Sequence, residues 1–160
     1  MAATKVLFGR FAADPGFLSA VYEMRQKLEN ADPLEKSFKT SAGAIYDIDF
    51  LVSYLLIKHG IRSKRGSVRE RLWHCVSRGT LEKPDAAVLT HAAELFRTVE
   101  HVVRLVLGRA RKWLPATEHA RQVTERLCAQ ILRRTFREGL EQELTQTCRA
   151  VRDIYQRILG

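Results

Sequence analysis

Residues 43–56 read GAIYDIDFLVSYLL, and this stretch decides the fold class. Its apolar side chains recur at helical spacing over a wide face, so the pattern predicts a strongly apolar helix over 44–59. Gly60 is well placed to end that helix. A helix with so broad an apolar face buries it against other helices, which indicates an all-α core.

The chain on both sides of this stretch repeats the helical pattern. Few β-branched residues alternate with polar ones, and no Asn-Gly or Asp-Gly hairpin turn occurs. Ser67 and Glu70 have the spacing of a capping box at the start of a short helix. We therefore predict an antiparallel up-and-down bundle of five or six helices. The further predicted helices cover 17–29, 67–78, 84–113 and 116–159, the last with a break near Gly139.

Chain length and composition predict a single domain over 1–160, with 1–13 loosely ordered and 116–160 forming the C-terminal helices. The segments 30–42 and 61–66 are polar and are predicted to be loops. No apolar run reaches the ~18 residues that a membrane span needs. The N-terminus lacks the apolar core of a signal peptide, so we expect a cytoplasmic protein.

The charge is strongly basic but unevenly placed. The chain holds 27 Lys and Arg against 18 Asp and Glu, a net charge of +9. Residues 1–60 are neutral, whereas 61–83 carry +5 and 101–160 carry +6. Because arginine, the dominant cation, suits bidentate contact with phosphate or carboxylate, an acidic partner is one interpretation. A solvated, arginine-rich outer surface is the other.

Several kinds of catalytic site are excluded by the sequence. It contains no phosphate-binding loop, no dinucleotide fingerprint and no His-Glu-x-x-His zinc motif. Three cysteines are too few and too scattered for a disulfide framework or a tetrahedral zinc site. The five histidines stand singly, which is more typical of surface or core residues than of ligands. We accordingly assign no catalytic residue and no metal ligand.

One polar constellation remains. Asp47 and Asp49 lie in the first turns of the apolar helix, where the helix dipole stabilises negative charge. Two residues apart on a helix, their carboxylates diverge by about 200° and make a poor shared metal site. One that faces inward needs an arginine or backbone partner. Our candidate is Arg97, which with Glu100 and His101 would form a polar cluster around either aspartate. The cluster is interpreted either as a salt bridge fixing helix register or as part of a nucleotide- or protein-binding surface.

Four segments of the chain resemble the glutamine synthetase adenylyltransferase family. Residues 43–52 are similar to its Gly-Gly-Ile-x-Asp-Ile-Glu-Phe motif, and Lys39 fits the lysine that precedes it. Residues 23–29 resemble its Glu-Met-Arg-x-Lys segment, and 95–101 resemble its Phe-Leu-Arg-x-x-Glu-His helix. Residues 151–159 look like the helix that closes such domains. The chain departs from the pattern at Ala44, Asp49, Ser53, Val102 and Arg104.

The resemblance implies a helical domain that follows a nucleotidyltransferase domain. In the family, that neighbouring domain carries a Gly-Ser turn and an Asp-x-Asp pair that binds magnesium, and nothing like it occurs in this sequence. ATP and magnesium are therefore implied only for the missing domain. The implied partners are the nucleotidyltransferase domain and glutamine synthetase, within the regulation of nitrogen metabolism.

We therefore expect a non-catalytic accessory or regulatory domain that transfers no AMP by itself. Lys39 and the backbone N–H groups near Gly43 would face phosphates, and the other candidates would orient the helix start. The alternatives are a standalone basic bundle that binds nucleic acid or an acidic protein, and a helical enzyme acting through the Asp/Arg/His cluster. The nucleotide- or partner-facing candidates are Lys39, Gly43, Asp47, Asp49, Arg97, Glu100 and His101.

Overall fold

The computed structural model of the protein describes residues 10–31, 37–62 and 66–160. Within these ranges the chain is all-α, as predicted: a helical turn at 10–13 precedes six helices of ten or more residues, and no strand forms. The predicted loose segment 1–13 lies largely outside the described residues. The helices are α1 (Phe17–Asn30), α2 (Ile45–Lys58), α3 (Val68–Ser77), α4 (Lys83–Leu107), α5 (Glu118–Leu132) and α6 (Leu140–Leu159).

Helix α4 is the central element of the bundle. It packs against α2, α3, α5 and α6, while α2 also contacts α1, α3 and α6. The contacts are made by fully buried aliphatic and aromatic side chains such as Leu51 and Ile48 of α2 and Phe96 and Val99 of α4. Burial of each such side chain contributes about 1.5–3 kcal/mol of hydrophobic stabilisation. The apolar stretch that decided the fold class therefore lies in the core.

The helix boundaries agree with the predicted ones where local capping sets them. The Ser67 hydroxyl accepts the Glu70 N–H at 3.2 Å, and the Glu70 carboxylate accepts the Ser67 N–H at 2.7 Å, which completes the predicted capping box. Helix α4 is shorter than predicted. It ends at Leu107 because Gly108 adopts a left-handed conformation with φ of 66°. The predicted break near Gly139 is a whole connecting segment over 133–139.

Two apolar side chains of α1 lie on the outside of the bundle. Met24 and Leu28 have the spacing of core residues, yet they are 59% and 36% exposed. The helix instead turns Tyr22 and Arg25 towards α2, because the buried carboxylate of Asp47 lies there and binds Arg25. The buried ion pair with Asp47 and the partly buried Val21 and Tyr22, which pack on the core, together orient α1.

The predicted loops at 30–42 and 61–66 lie partly outside the described residues, but 37–44 form a compact turn that leads into α2. Among the helices described above, none is both long enough and apolar enough to cross a membrane.

Candidate functional site

The turn over 37–44 is fixed by its own hydroxyl groups. The Ser37 hydroxyl accepts the N–H groups of Lys39 and Thr40 at 3.1 and 3.0 Å. The Ser41 hydroxyl accepts the Ser37 N–H at 2.8 Å. Short side-chain to backbone bonds of this kind are the reason that serine and threonine favour turns. The turn therefore delivers the chain to the start of α2 in one defined geometry.

The N–H groups at the start of α2 already have acceptors within the protein. A helix normally leaves its first N–H groups without intrahelical partners, which makes its start a natural anion site. Here the turn supplies those partners, so a phosphate would have to displace them. The Gly43 N–H donates to Asp47 Oδ2 at 2.8 Å, and the Ala44 N–H donates to Ser41 O at 3.0 Å. The Ile45 N–H donates to Phe38 O at 3.4 Å, the Tyr46 N–H to Lys39 O at 3.2 Å and the Asp47 N–H to Ala44 O at 3.0 Å.

Gly43 lies directly against the backbone of α6. Its φ of +76° is left-handed, and a Cβ at this position would lie 1.8 Å from the carbonyl oxygen of Cys148. Only glycine satisfies both the conformation and the contact. The glycine of the first motif is thus a packing residue, and it is buried.

Asp47 is the centre of an inner ion cluster made of Arg25, Glu29, Asp47 and Arg152. Asp47 is completely buried and Arg25 is 1% exposed. Arg25 Nε donates to Asp47 Oδ1 at 2.5 Å, and Arg152 Nη1 donates to Asp47 Oδ2 at 3.0 Å. Arg152 Nη1 also lies 3.2 Å from Glu29 Oε2, and Arg25 Nη2 donates to the Ser41 carbonyl at 2.9 Å. The cluster joins α1, α2 and α6.

The inner ion cluster balances two cations with two carboxylates. Buried charges are tolerated when they are paired and hydrogen bonded, and both oxygens of Asp47 have donors. Burial favours the neutral form of Arg152, yet its hydrogen bond to Asp47 and the charges of Asp47 and Glu29 raise the pKa of that guanidinium. The cluster therefore holds α1, α2 and α6 together.

Asp49 points the other way, to an outer ion cluster made of Lys39, Asp49, Arg97, Glu100 and Arg104. Lys39 Nζ lies 2.6 Å from Glu100 Oε1, which Arg104 approaches at 3.9 Å. Arg97 Nη2 lies 3.8 Å from Asp49 Oδ1, with 57% and 38% of the two side chains exposed. Partial burial raises the pKa of Asp49, against the opposing charges of Arg97 and Arg71. This cluster faces water, and His101 is exposed on the same helix as Arg97.

The structure corrects the predicted partner of the inward carboxylate. Asp47 binds Arg25 and Arg152, whereas Arg97 pairs with Asp49. The reason is the divergence of the two carboxylates around α2: Asp47 faces α1 and α6, and Asp49 faces α4. This pair does not fit a magnesium ion, because Asp47 is committed to two arginines. No group of three metal-ligating side chains occurs among residues 10–31, 37–62 and 66–160.

Sequence reasoning missed three members of the inner ion cluster: Arg25, Glu29 and Arg152. Each is a charged residue inside a segment that carries the family resemblance, and Arg25 occupies an inward position of a helix. An inward arginine is the signal that a buried carboxylate lies opposite. Three of the four segments meet at the inner ion cluster, and the fourth, 95–101, lies beside Asp49.

Comparison with known proteins gives the chain its family. The family model described as GlnD PII-uridylyltransferase matches residues 17–159. The bifunctional glutamine synthetase adenylyltransferase/adenylyl-removing enzyme of Nocardia farcinica is 29% identical over 110 residues, which are 65% of this chain and 11% of that enzyme. The enzyme of the same name from a Bradyrhizobium species is 33% identical over 73 residues, 44% of this chain and 7% of that enzyme.

The chain thus spans about a tenth of the length of these curated relatives. The matches confirm the resemblance to glutamine synthetase adenylyltransferases that the four segments predicted. With its family model covering nearly the whole described helical bundle, the chain belongs to the GlnD PII-uridylyltransferase family.

Proposed function

We propose that this bundle is a non-catalytic accessory domain that packs against a nucleotidyltransferase domain, in a protein that transfers AMP to and from glutamine synthetase. The observation that carries the proposal is that the charged motif residues already have partners within the chain. Both oxygens of Asp47 are bound by arginines and a backbone N–H, and Lys39 and Arg97 are paired with carboxylates. The Asp47 carboxylate therefore serves to hold helices in place, and Lys39 and Arg97 already have partners within the chain.

The outer ion cluster, together with His101, is the surface that we assign to the neighbouring domain. Of the seven predicted nucleotide- or partner-facing residues, Gly43 and Asp47 are buried, so they act only by shaping the start of α2. The remaining five reach the surface. Exposed charges of this kind contribute little to stability but steer and orient a partner. These five are Lys39, Asp49, Arg97, Glu100 and His101.

ATP and magnesium belong to the neighbouring domain in this proposal. The Asp47-x-Asp49 pair does not fit a magnesium ion, and the N–H groups at the start of α2 are engaged within the protein. A nucleotide held by the neighbouring domain would meet this chain at Lys39, the one cation of the turn that reaches the surface among the described residues.

The first experiment asks whether the chain is catalytic by itself. Purified protein incubated with radiolabelled ATP, magnesium and glutamine synthetase is expected to leave the synthetase unlabelled, while a full-length family member labels it. Transfer of AMP by the purified chain would overturn the non-catalytic assignment.

The second experiment tests the assigned surface. The nucleotidyltransferase domain of a full-length family member is titrated onto this chain by calorimetry. We expect Arg97→Glu to weaken the complex at least tenfold, because it reverses an exposed charge on the surface assigned to the partner. Arg126→Glu reverses an exposed arginine of α5 far along the chain from the outer ion cluster and serves as the matched control. Equal effects of the two reversals would contradict the assignment.

The alternative, a basic bundle that binds nucleic acid, is weakened by the pairing of its arginines. Several cations of the basic C-terminal part are bound to carboxylates: Arg152 to Asp47, and Arg157 to Asp85 at 2.8 Å. A gel shift at two salt concentrations separates the two functions, since nucleic-acid binding by an arginine surface falls steeply with salt. We expect no such binding.

A further inference from the structure

We propose that the groove between the 37–44 turn, the segment after α4 and helix α6 binds a small organic anion that carries a planar ring. The groove has a volume of about 640 Å³. Pockets of about 300–1,000 Å³ that are mostly apolar, with a few convergent polar groups, are typical of small-molecule sites. The inference uses none of the residues assigned to the neighbouring domain, so it stands or falls separately from the proposed function.

The walls of the groove suit a planar ring. They include Phe38, Trp113 and Leu144, with the Trp113 ring half-exposed. The Arg111 guanidinium lies 5.7 Å from the centre of the Trp113 ring and helps to hold it in place. A half-exposed indole held by such a contact offers a flat apolar surface on which an aromatic ligand stacks favourably.

The charges of the groove suit an anion. Three arginines and one glutamate line it: Arg121, Arg149, Arg152 and Glu141. Arg121 is engaged, because its Nε donates to the Pro115 carbonyl at 2.7 Å and its Nη1 lies 3.5 Å from Glu141. Arg152 is held by the inner ion cluster. The groove therefore has an excess of positive charge.

Arg149 is the cation that remains for a ligand. It is exposed on α6, and its side chain has no ion pair or hydrogen bond with any other residue that the structure describes. It precedes Arg152 by three positions, so the two guanidinium groups lie on the same side of the helix. A carboxylate or phosphate bound by Arg149 would place an attached ring against Trp113. Nucleoside monophosphates and aromatic carboxylates share this chemistry.

The test uses the fluorescence of Trp113. The chain has two tryptophans, and Trp73 lies on the exposed side of α3, so Trp73→Phe leaves Trp113 as the reporter. This protein is titrated with cytidine monophosphate and with benzoate. Cytidine and benzamide are the uncharged counterparts, and inorganic phosphate is the anion without a ring. We expect saturable quenching by at least one anion and at least tenfold weaker binding of all three controls. The anion that binds more tightly shows whether the groove takes a phosphate or a carboxylate.

Two variants in the same background locate the site. Arg149→Gln is expected to weaken the anion about tenfold, the effect of losing one charge-assisted hydrogen bond. Arg126→Gln, an exposed arginine outside the groove, is expected to change nothing. The proposal is overturned if neither anion quenches saturably, if an uncharged counterpart or phosphate binds as tightly, or if the two variants behave alike. Circular dichroism establishes that both variants are folded.

Discussion

At the scale of single residues, Asp47 accepts hydrogen bonds from three donors through its two carboxylate oxygens. Arg25 binds one oxygen, while Arg152 and the Gly43 N–H share the other. A carboxylate that is completely buried depends on all of these contacts, because water is excluded from it. Its neighbour Asp49 has one distant partner and contact with water. The two aspartates of one motif therefore contribute unequally to the stability of the folded protein.

Replacement of Asp47 by asparagine is expected to lower the free energy of unfolding by about 3–5 kcal/mol, because it leaves Arg25 buried without the carboxylate that binds its Nε. Asp49→Asn is the matched control and should cost less than about 1 kcal/mol, as exposed pairs do. Urea unfolding followed by circular dichroism measures both. Equal losses in the two variants would show that Asp47 is not the centre of the cluster.

Gly43 and Gly79 separate a steric effect from a conformational one. Both have left-handed φ angles, +76° and +68°, but a Cβ on Gly79 would meet no atom within 4 Å. Gly79→Ala should therefore cost only the left-handed strain, about 1–2 kcal/mol. Gly43→Ala should cost several times more, since Cys148 cannot retreat without moving α6. The same unfolding experiment tests this, and similar costs would refute the close contact.

The sequence predicted that an inward aspartate would need an arginine or backbone partner, and its candidate arginine was Arg97. Arg97 pairs with Asp49, the outward carboxylate, whereas Asp47 binds two other arginines and a backbone N–H. Helical spacing indicates which residues share a face, and it correctly separated Asp47 from Asp49. It contains no information on which neighbouring helix lies against each face. Arg25 and Arg152 could be assigned only when α1 and α6 had been placed on the same side of α2.

At the scale of helices, the one fully buried side chain by which α1 is attached is a charged one. In the described part of the chain, Arg25 is the one buried residue of α1, and Met24 and Leu28 face outward. A helix with so little apolar burial has few contacts that resist local opening. The inner ion cluster is therefore its principal anchor.

Replacement of Arg25 by alanine is expected to release α1 while the rest of the bundle stays folded. Amide hydrogen exchange over 17–30 should increase at least tenfold, with protection in α4 unchanged. Lys27→Ala, an exposed position of the same helix, is the control and should leave exchange as it is. Uniform loss of protection in all helices would instead mean that α1 and the core unfold as one unit.

Helix boundaries were predictable where a local motif sets them and not elsewhere. The Ser67 capping box gave the start of α3 correctly, because its hydrogen bonds involve residues three apart. The end of α4 was wrong, because residues 109–113 keep a helical composition and only the left-handed Gly108 stops the helix. The resulting irregular segment carries Trp113 to the groove, so this feature of the site was also missed.

At the scale of the whole molecule, burial sets the response to alkaline pH. Burial raises the pKa of Cys128 to about 12 and that of Cys148 to about 11, from an ordinary 9.0, with nearby Glu125 and Asp47 adding to the shifts. Burial and Asp47 also raise the pKa of Tyr155 from 10.0 to about 12. In each case the folded protein keeps a proton that the unfolded chain loses first.

Stability should therefore be fully present below pH 9.0 and decline as the pH rises towards 11, where the unfolded thiols are ionised. Urea midpoints at about pH 8 and about pH 10.5 measure this loss of stability. The loss arises because the folded protein keeps these groups neutral while the unfolded chain ionises them. Cys128→Ala removes one such group, so its decline should be shallower despite its lower overall stability. A midpoint that is constant over this range would contradict the expected dependence.

The inner ion cluster has a consequence for how the protein is made. Asp47 and Arg152 are 105 residues apart in the chain. At translation rates of about 5–20 residues per second, α2 waits roughly 5 to 20 seconds for the helix that supplies Arg152. During that interval the nascent chain cannot yet bury the Asp47 carboxylate with all of its hydrogen-bond donors in place. The ribosome must therefore deliver most of α6 before the first helices can take their final places.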